Sequence, residues 1–123
     1  MPTNVLPFPV MPKNRRLDRD AWVADILEYV QTRRRVIILF VDNTLFCRRY
    51  VTRNSWIKDM GVEVVLIDQD IQKHFEINLC PRFDIFIDGE PEAQIVGTAT
   101  HQEFLEIHDY YFKNSNSNGA ELE

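Results

Sequence analysis

Cysteine is scarce in this chain of 123 residues. There are two, Cys47 and Cys80, so neither a disulfide framework nor a four-cysteine zinc site can be assembled. The three histidines, His74, His101 and His108, have no metal-ligand spacing with either thiol. Nothing in the sequence has the form of a phosphate loop or a nucleotide-binding fingerprint, and no cofactor is expected. No apolar run is long enough to span a bilayer. Met1–Val10 is apolar but broken by Pro2, Pro7 and Pro9. It lacks the unbroken apolar segment and basic leader of a signal peptide, so the expected compartment is the cytosol, or the nucleus of a eukaryotic cell. Positive charge is also in deficit. Lys plus Arg is 14 against 19 Asp plus Glu, a formal net charge of −5. That argues against general binding to nucleic acid or anionic membranes, while leaving room for a local basic patch.

What is present suits one domain. Hydrophobic residues make up 45% of the chain and eight are Phe, enough for a single core without metal or disulfide staples. Residues 1–16 read as an arm, because Pro2, Pro7, Pro9 and Pro12 prevent a helix and favour extended backbone. Leu17 to Thr32 has helical periodicity. Asp18 or Asp20 suits the N-cap, and Trp22, Val23, Ile26, Tyr29 and Val30 form one apolar face. Val36–Val41 is a continuous apolar run, the pattern of a central strand covered on both faces. A helix is predicted from Leu45 to Met60 with Gly61 beyond its end, then a strand from Val62 to Ile67. Strand, helix, strand implies a parallel right-handed crossover. Asp68–Ile77 reads as a short helix or loop. Phe83–Ile87 and Ala93–Val96 flank Asp88-Gly89, a strong hairpin signal. Thr100 suits the cap of a last helix, His101 to Phe112. Residues 113–123 read as a polar, disordered tail.

Four stretches in this order resemble thioredoxin. Val64-Val65-Leu66-Ile67-Asp68 is similar to the family's strand ending in an acidic turn. Phe75-Glu76-Ile77-Asn78-Leu79-Cys80-Pro81 is similar to the segment leading into its cis-proline. Phe83 to Glu90 and Ile95-Val96-Gly97 are similar to its terminal hairpin and closing glycine. The resemblance covers about residues 17–112. It implies an α/β thioredoxin fold: a mixed central sheet flanked by helices, with a cis-proline loop at Pro81.

The same resemblance puts Asn43-Thr44-Leu45-Phe46-Cys47 where thioredoxins carry Trp-Cys-Gly-Pro-Cys. Thr44 then takes the place of the nucleophilic cysteine and Cys47 that of the resolving one, and no register restores Cys-x-x-Cys. The family's buried acid falls near Ile38. Ordinary disulfide reduction is therefore not expected. Thr-x-x-Cys also occurs around the peroxidatic cysteine of peroxiredoxins, but the proline preceding that threonine is absent here.

Two roles remain open for these residues. If Thr44 caps the helix, Cys47 lies in its first turn, where backbone N–H groups, Arg48 and Arg49 favour a thiolate and a depressed pKa. Burial in apolar surroundings has the opposite effect. Cys80 faces the same helix start if Pro81 is cis, either as a redox partner of Cys47 or as a second free thiol. The resemblance also implies a peptide groove built from Thr44-Leu45-Phe46, Cys80-Pro81 and Gly97-Thr98. Leu45 and Phe46 replace small residues there and either form a sticky patch or turn inward over the core. The leading expectation is a protein-binding module lacking the dithiol, whose partner is another protein or an extended peptide. The alternative is a monothiol oxidoreductase or redox switch using Cys47, with Cys80. The sequence fixes no oligomeric state.

Overall fold

A computed structural model describes Leu17 and residues 19–113. The expected arm, residues 1–16, lies outside the described residues, as does all of the expected tail except Lys113, which belongs to the last helical turn. The elements in chain order are α1 (Val23–Gln31), β1 (Arg35–Val41), α2 (Leu45–Arg53), α3 (Trp56–Asp59), β2 (Glu63–Leu66), α4 (Gln69–Phe75), β3 (Arg82–Ile87), β4 (Glu90–Val96) and α5 (His101–His108), which continues as a π-helical turn, Asp109–Lys113. The four strands form one mixed sheet in the order β2-β1-β3-β4. β1 pairs with β2 in parallel and with β3 antiparallel, and β3 pairs antiparallel with β4.

The unbroken apolar run of β1 is explained by its central place. Val36, Ile38 and Phe40 enter a core with Ile26, Tyr29, Val30, Ile71 and Ile77 from α1, α4 and the loop after α4. Ile37, Leu39 and Val41 enter a second core on the opposite face, with Cys47, Tyr50, Ile57, Phe83 and Phe104. Strand alternation sends neighbouring side chains to opposite faces, so a strand covered on both must be apolar throughout. Each large side chain so buried contributes about 1.5–3 kcal/mol.

Three boundaries differ from the sequence-based expectation. Leu17, Arg19 and Asp20 lie outside the helix, and hydrogen bonds tie Leu17 and Arg19 to β2. Leu17 N–H donates to Glu63 Oε1 at 3.1 Å, and Leu66 N–H donates to the Arg19 carbonyl at 2.9 Å. α1 therefore starts later, and Asp25 accepts from Trp22 N–H at 3.1 Å; neither Asp18 nor Asp20 is its N-cap. Trp22 is 77% exposed rather than part of the apolar face.

The helix expected over Leu45–Met60 is two helices. The Asn54 side-chain amide donates to the Tyr50 carbonyl at 2.7 Å, while Asn54 N–H turns to Val51 O instead. A side chain has taken the carbonyl that would have continued the helix. β4 begins at Glu90, earlier than the expected Ala93, and accommodates an irregularity opposite Ile85/Phe86.

The hairpin turn has positive φ at both Asp88 and Gly89, 52° and 83°, the backbone of a type I′ turn. Thr100 caps α5 as expected, accepting from Glu103 N–H at 3.1 Å. The Cys80–Pro81 peptide bond is cis.

Candidate functional site

The C-terminal end of β1 leads into α2 through Asp42-Asn43-Thr44. The Asp42 carboxylate accepts from both Thr44 N–H and the Thr44 hydroxyl. The Thr44 oxygen in turn accepts from Cys47 N–H at 3.2 Å. Asp42 and Thr44 thus fix the entry to α2. The Thr44 hydroxyl bond is the main reason the Asp42 carboxyl sits below its ordinary value.

This cap aims the two sides of α2 in different directions. Cys47 and Tyr50 point inward, and Cys47 is fully buried. Its position in the first turn is the one predicted, but the thiolate is not favoured there. Burial pushes the Cys47 thiol above its ordinary value, and the Asp42 charge adds to the effect. Arg48 and Arg49 are exposed on the solvent side of the helix. Desolvation is the largest influence on the Cys47 thiol. Cys80 is partly buried, and burial pushes its thiol to about 11, with Asp42 and Cys47 contributing. Both cysteines are free thiols.

The expected groove residues divide. Gly97 N–H donates to Pro81 O at 2.8 Å, so the proline loop and the end of β4 meet. Pro81 is buried. Gly97 adopts φ 104°, a conformation that disfavours any side chain. Leu45 and Phe46 do not turn inward; they are 52% and 62% exposed. With Thr98 they line a cavity of about 450 Å³, completed by Arg49, Tyr50, Arg53 and Asn54. Thr44, Cys80, Pro81 and Gly97 are not in its lining. The cavity therefore runs along the outer flank of α2, away from the proline loop.

Tyr50 forms its floor. Its hydroxyl donates to the Ala99 carbonyl and ties α2 to the loop that carries Thr98. Burial, with the Glu103 charge, pushes the Tyr50 hydroxyl to about 12, so it remains a donor. Arg49, Tyr50, Arg53 and Asn54 were not singled out as groove residues from the sequence. The signal available was the spacing of Leu45, Arg49 and Arg53, four residues apart on one helical stripe.

A second charged site was also missed. Arg82, immediately after Pro81, donates through Nε and Nη2 to the two Asp84 oxygens at 2.7 and 2.8 Å. It also donates to the Glu76 and Phe75 carbonyls at 3.1 and 2.9 Å. Both side chains are buried. Burial pushes the Asp84 carboxyl up, against the pull of Arg82. This clamp fastens the end of α4 to β3 and positions the proline loop.

The histidines have packing roles. His101 stacks on Trp56 with ring centroids 4.8 Å apart, and His108 lies 3.3 Å from Asp109. Among the described residues, no group of three His, Cys, Asp or Glu is placed to hold a metal. Among the described residues, no helix is long and apolar enough to cross a membrane.

No protein-family model matches the chain, and no curated protein does. Solved structures match across most of its length. Thioredoxin from Fasciola hepatica is 16% identical with a TM-score of 0.61, covering 79% of this chain and 99% of its own. Thioredoxin f2 of Chlamydomonas reinhardtii is 12% identical with a TM-score of 0.63, covering 80% and 97%. The oxidised thioredoxin of Plasmodium falciparum is 13% identical with a TM-score of 0.59, covering 78% and 96%. The chain has the thioredoxin fold.

Proposed function

We propose that this chain is a thioredoxin-fold protein without the redox dithiol, acting as a protein-binding module. The observation that carries the reading is the contrast at the start of α2. Two large apolar side chains, Leu45 and Phe46, face solvent over a cavity, while the thiol beside them is sealed and held protonated. Thiol chemistry needs an accessible thiolate; binding needs exposed apolar surface. Exposed apolar side chains also stand next to the other two expected groove segments. Of the six large apolar residues exposed among the described residues, Leu45 and Phe46 lie on one expected groove segment, and Leu79 and Val96 flank the other two. Leu79 precedes the Cys80–Pro81 bond and Val96 precedes Gly97.

The double variant Leu45→Ser, Phe46→Ser tests this reading. Its melting temperature is expected to stay near that of the parent, because exposed residues add little to stability. Proteins or peptides retained by the parent are expected to be lost. A large fall in melting temperature, or unchanged retention, would count against the reading. Insulin-disulfide reduction provides a second check. Negligible turnover is expected, since Thr44 offers no sulfur to attack; turnover abolished by Cys47→Ser would favour a monothiol enzyme.

A further inference from the structure

Resting on the proposed peptide-binding reading, we propose that the flank of α2 takes an extended peptide segment with the pattern apolar-x-acid-x-acid. Leu45, Arg49 and Arg53 form one stripe of the helix, each four residues from the next, and all three are exposed and line the cavity. The chain carries a net charge of −5, yet α2 holds Arg48, Arg49 and Arg53 and no acidic residue. Among the described residues, no carboxylate pairs with any of these three arginines. Glu103, whose charge reaches Tyr50, is committed to Thr100 N–H at 2.9 Å. The groove thus presents one apolar contact followed by two unspent cations.

Spacing selects the partner's backbone. Four helical residues rise about 6 Å. Two residues of an extended chain advance about 6.6 Å and return the side chain to the same face. Every second side chain of a strand laid beside α2 therefore meets Leu45, then Arg49, then Arg53, within about 1 Å per step. The Tyr50 hydroxyl bonds to Ala99 O, so the α2 wall and the Thr98 wall are joined through one side chain. Bidentate arginine–carboxylate bonding supplies the acid selectivity, and the apolar anchor on Leu45 and Phe46 supplies the desolvated centre.

The test is a random nine-residue peptide library displayed on phage and selected on the full chain, followed by fluorescence anisotropy of synthetic copies. Selected peptides are expected to carry the apolar-x-acid-x-acid pattern and to bind more weakly as salt rises. The variant Arg49→Glu, Arg53→Glu is expected to weaken them about tenfold or more. The same variant is expected to regain affinity for copies in which lysine replaces each acid, a rescue that general damage cannot produce. Apolar peptides with no acidic excess, lost only in Leu45→Ser, Phe46→Ser, would overturn the acid pattern while leaving the binding-module reading in place. Acids spaced four apart would overturn the extended backbone. Selected peptides indifferent to all four substitutions would overturn this inference and the binding-module reading together.

Discussion

Two arginine sites in this small fold use the same side chain in opposite ways. Arg82 directs four hydrogen bonds inward, two to the Asp84 carboxylate and two to carbonyls at the end of α4. Arg49 and Arg53 are exposed on the flank of α2, without an ion pair among the described residues. A buried guanidinium without partners would be very costly, so every nitrogen of the Arg82 guanidinium is bonded and the residue serves architecture. An exposed guanidinium costs little and stays available to another molecule. Burial and satisfied bonding, more than residue type, separate the arginine that holds the fold from those left exposed on its surface.

The comparison breaks most sharply at Arg82. Arg82→Met, leaving Asp84 buried and unpaired, is expected to cost about 3–5 kcal/mol, read as a loss in denaturant midpoint. Arg82→Met with Asp84→Leu is expected to recover much of that loss, because no orphan charge remains. Equal instability of the single and double variants would show that the carbonyl bonds of Arg82, rather than its charge pairing, dominate.

Tyr50→Phe comes next. It removes the hydroxyl bonded to Ala99 O and leaves a buried carbonyl unsatisfied, at a cost of about 1–3 kcal/mol. The same change loosens the groove floor, so peptide affinity is expected to fall with it.

The thiols give a pH signature. Cys80 is raised to about 11, and Cys47 is also raised. Below the ordinary thiol pKa both states are protonated and the contribution to stability is constant. Above about pH 9 the unfolded chain loses thiol protons that the folded chain retains, so stability is expected to fall from there through about pH 11. Tyr50, raised to about 12, extends the decline upward. Cys80 alkylation is expected to be slow at neutral pH and to accelerate toward pH 11, with Cys47 silent until unfolding. Rapid labelling of Cys47 in the native protein would contradict its burial.

The smallest effect on stability belongs to the exposed arginines. Arg49→Gln, Arg53→Gln is expected to shift stability by no more than about 0.5 kcal/mol.

Much of this was legible in the sequence. The apolar run of β1, the Asp88-Gly89 turn and the Thr44 and Thr100 caps are local signals, and each forms where its residues indicate. What escaped depends on distant partners or competing bonds. Leu17 and Arg19 are held by bonds to β2 rather than by a helix, and α2 ends because the Asn54 amide captures the Tyr50 carbonyl. The Cys47 position was readable, but its thiol's response was not. A helix N-terminus and two adjacent arginines predict a thiolate until the depth of burial is known. The groove was placed between the three ancestral loops; the cavity follows α2 because Leu45, Phe46 and the two arginines share its flank.

The central claim is that this outer flank, rather than the thiols, is the working surface. Amide chemical-shift mapping of the labelled full chain, titrated with a library-selected peptide, tests it most directly. The expected shifts concentrate on Leu45, Phe46, Arg49, Arg53 and Thr98. Shifts confined to Cys80 and its neighbours, with α2 unmoved, would contradict it.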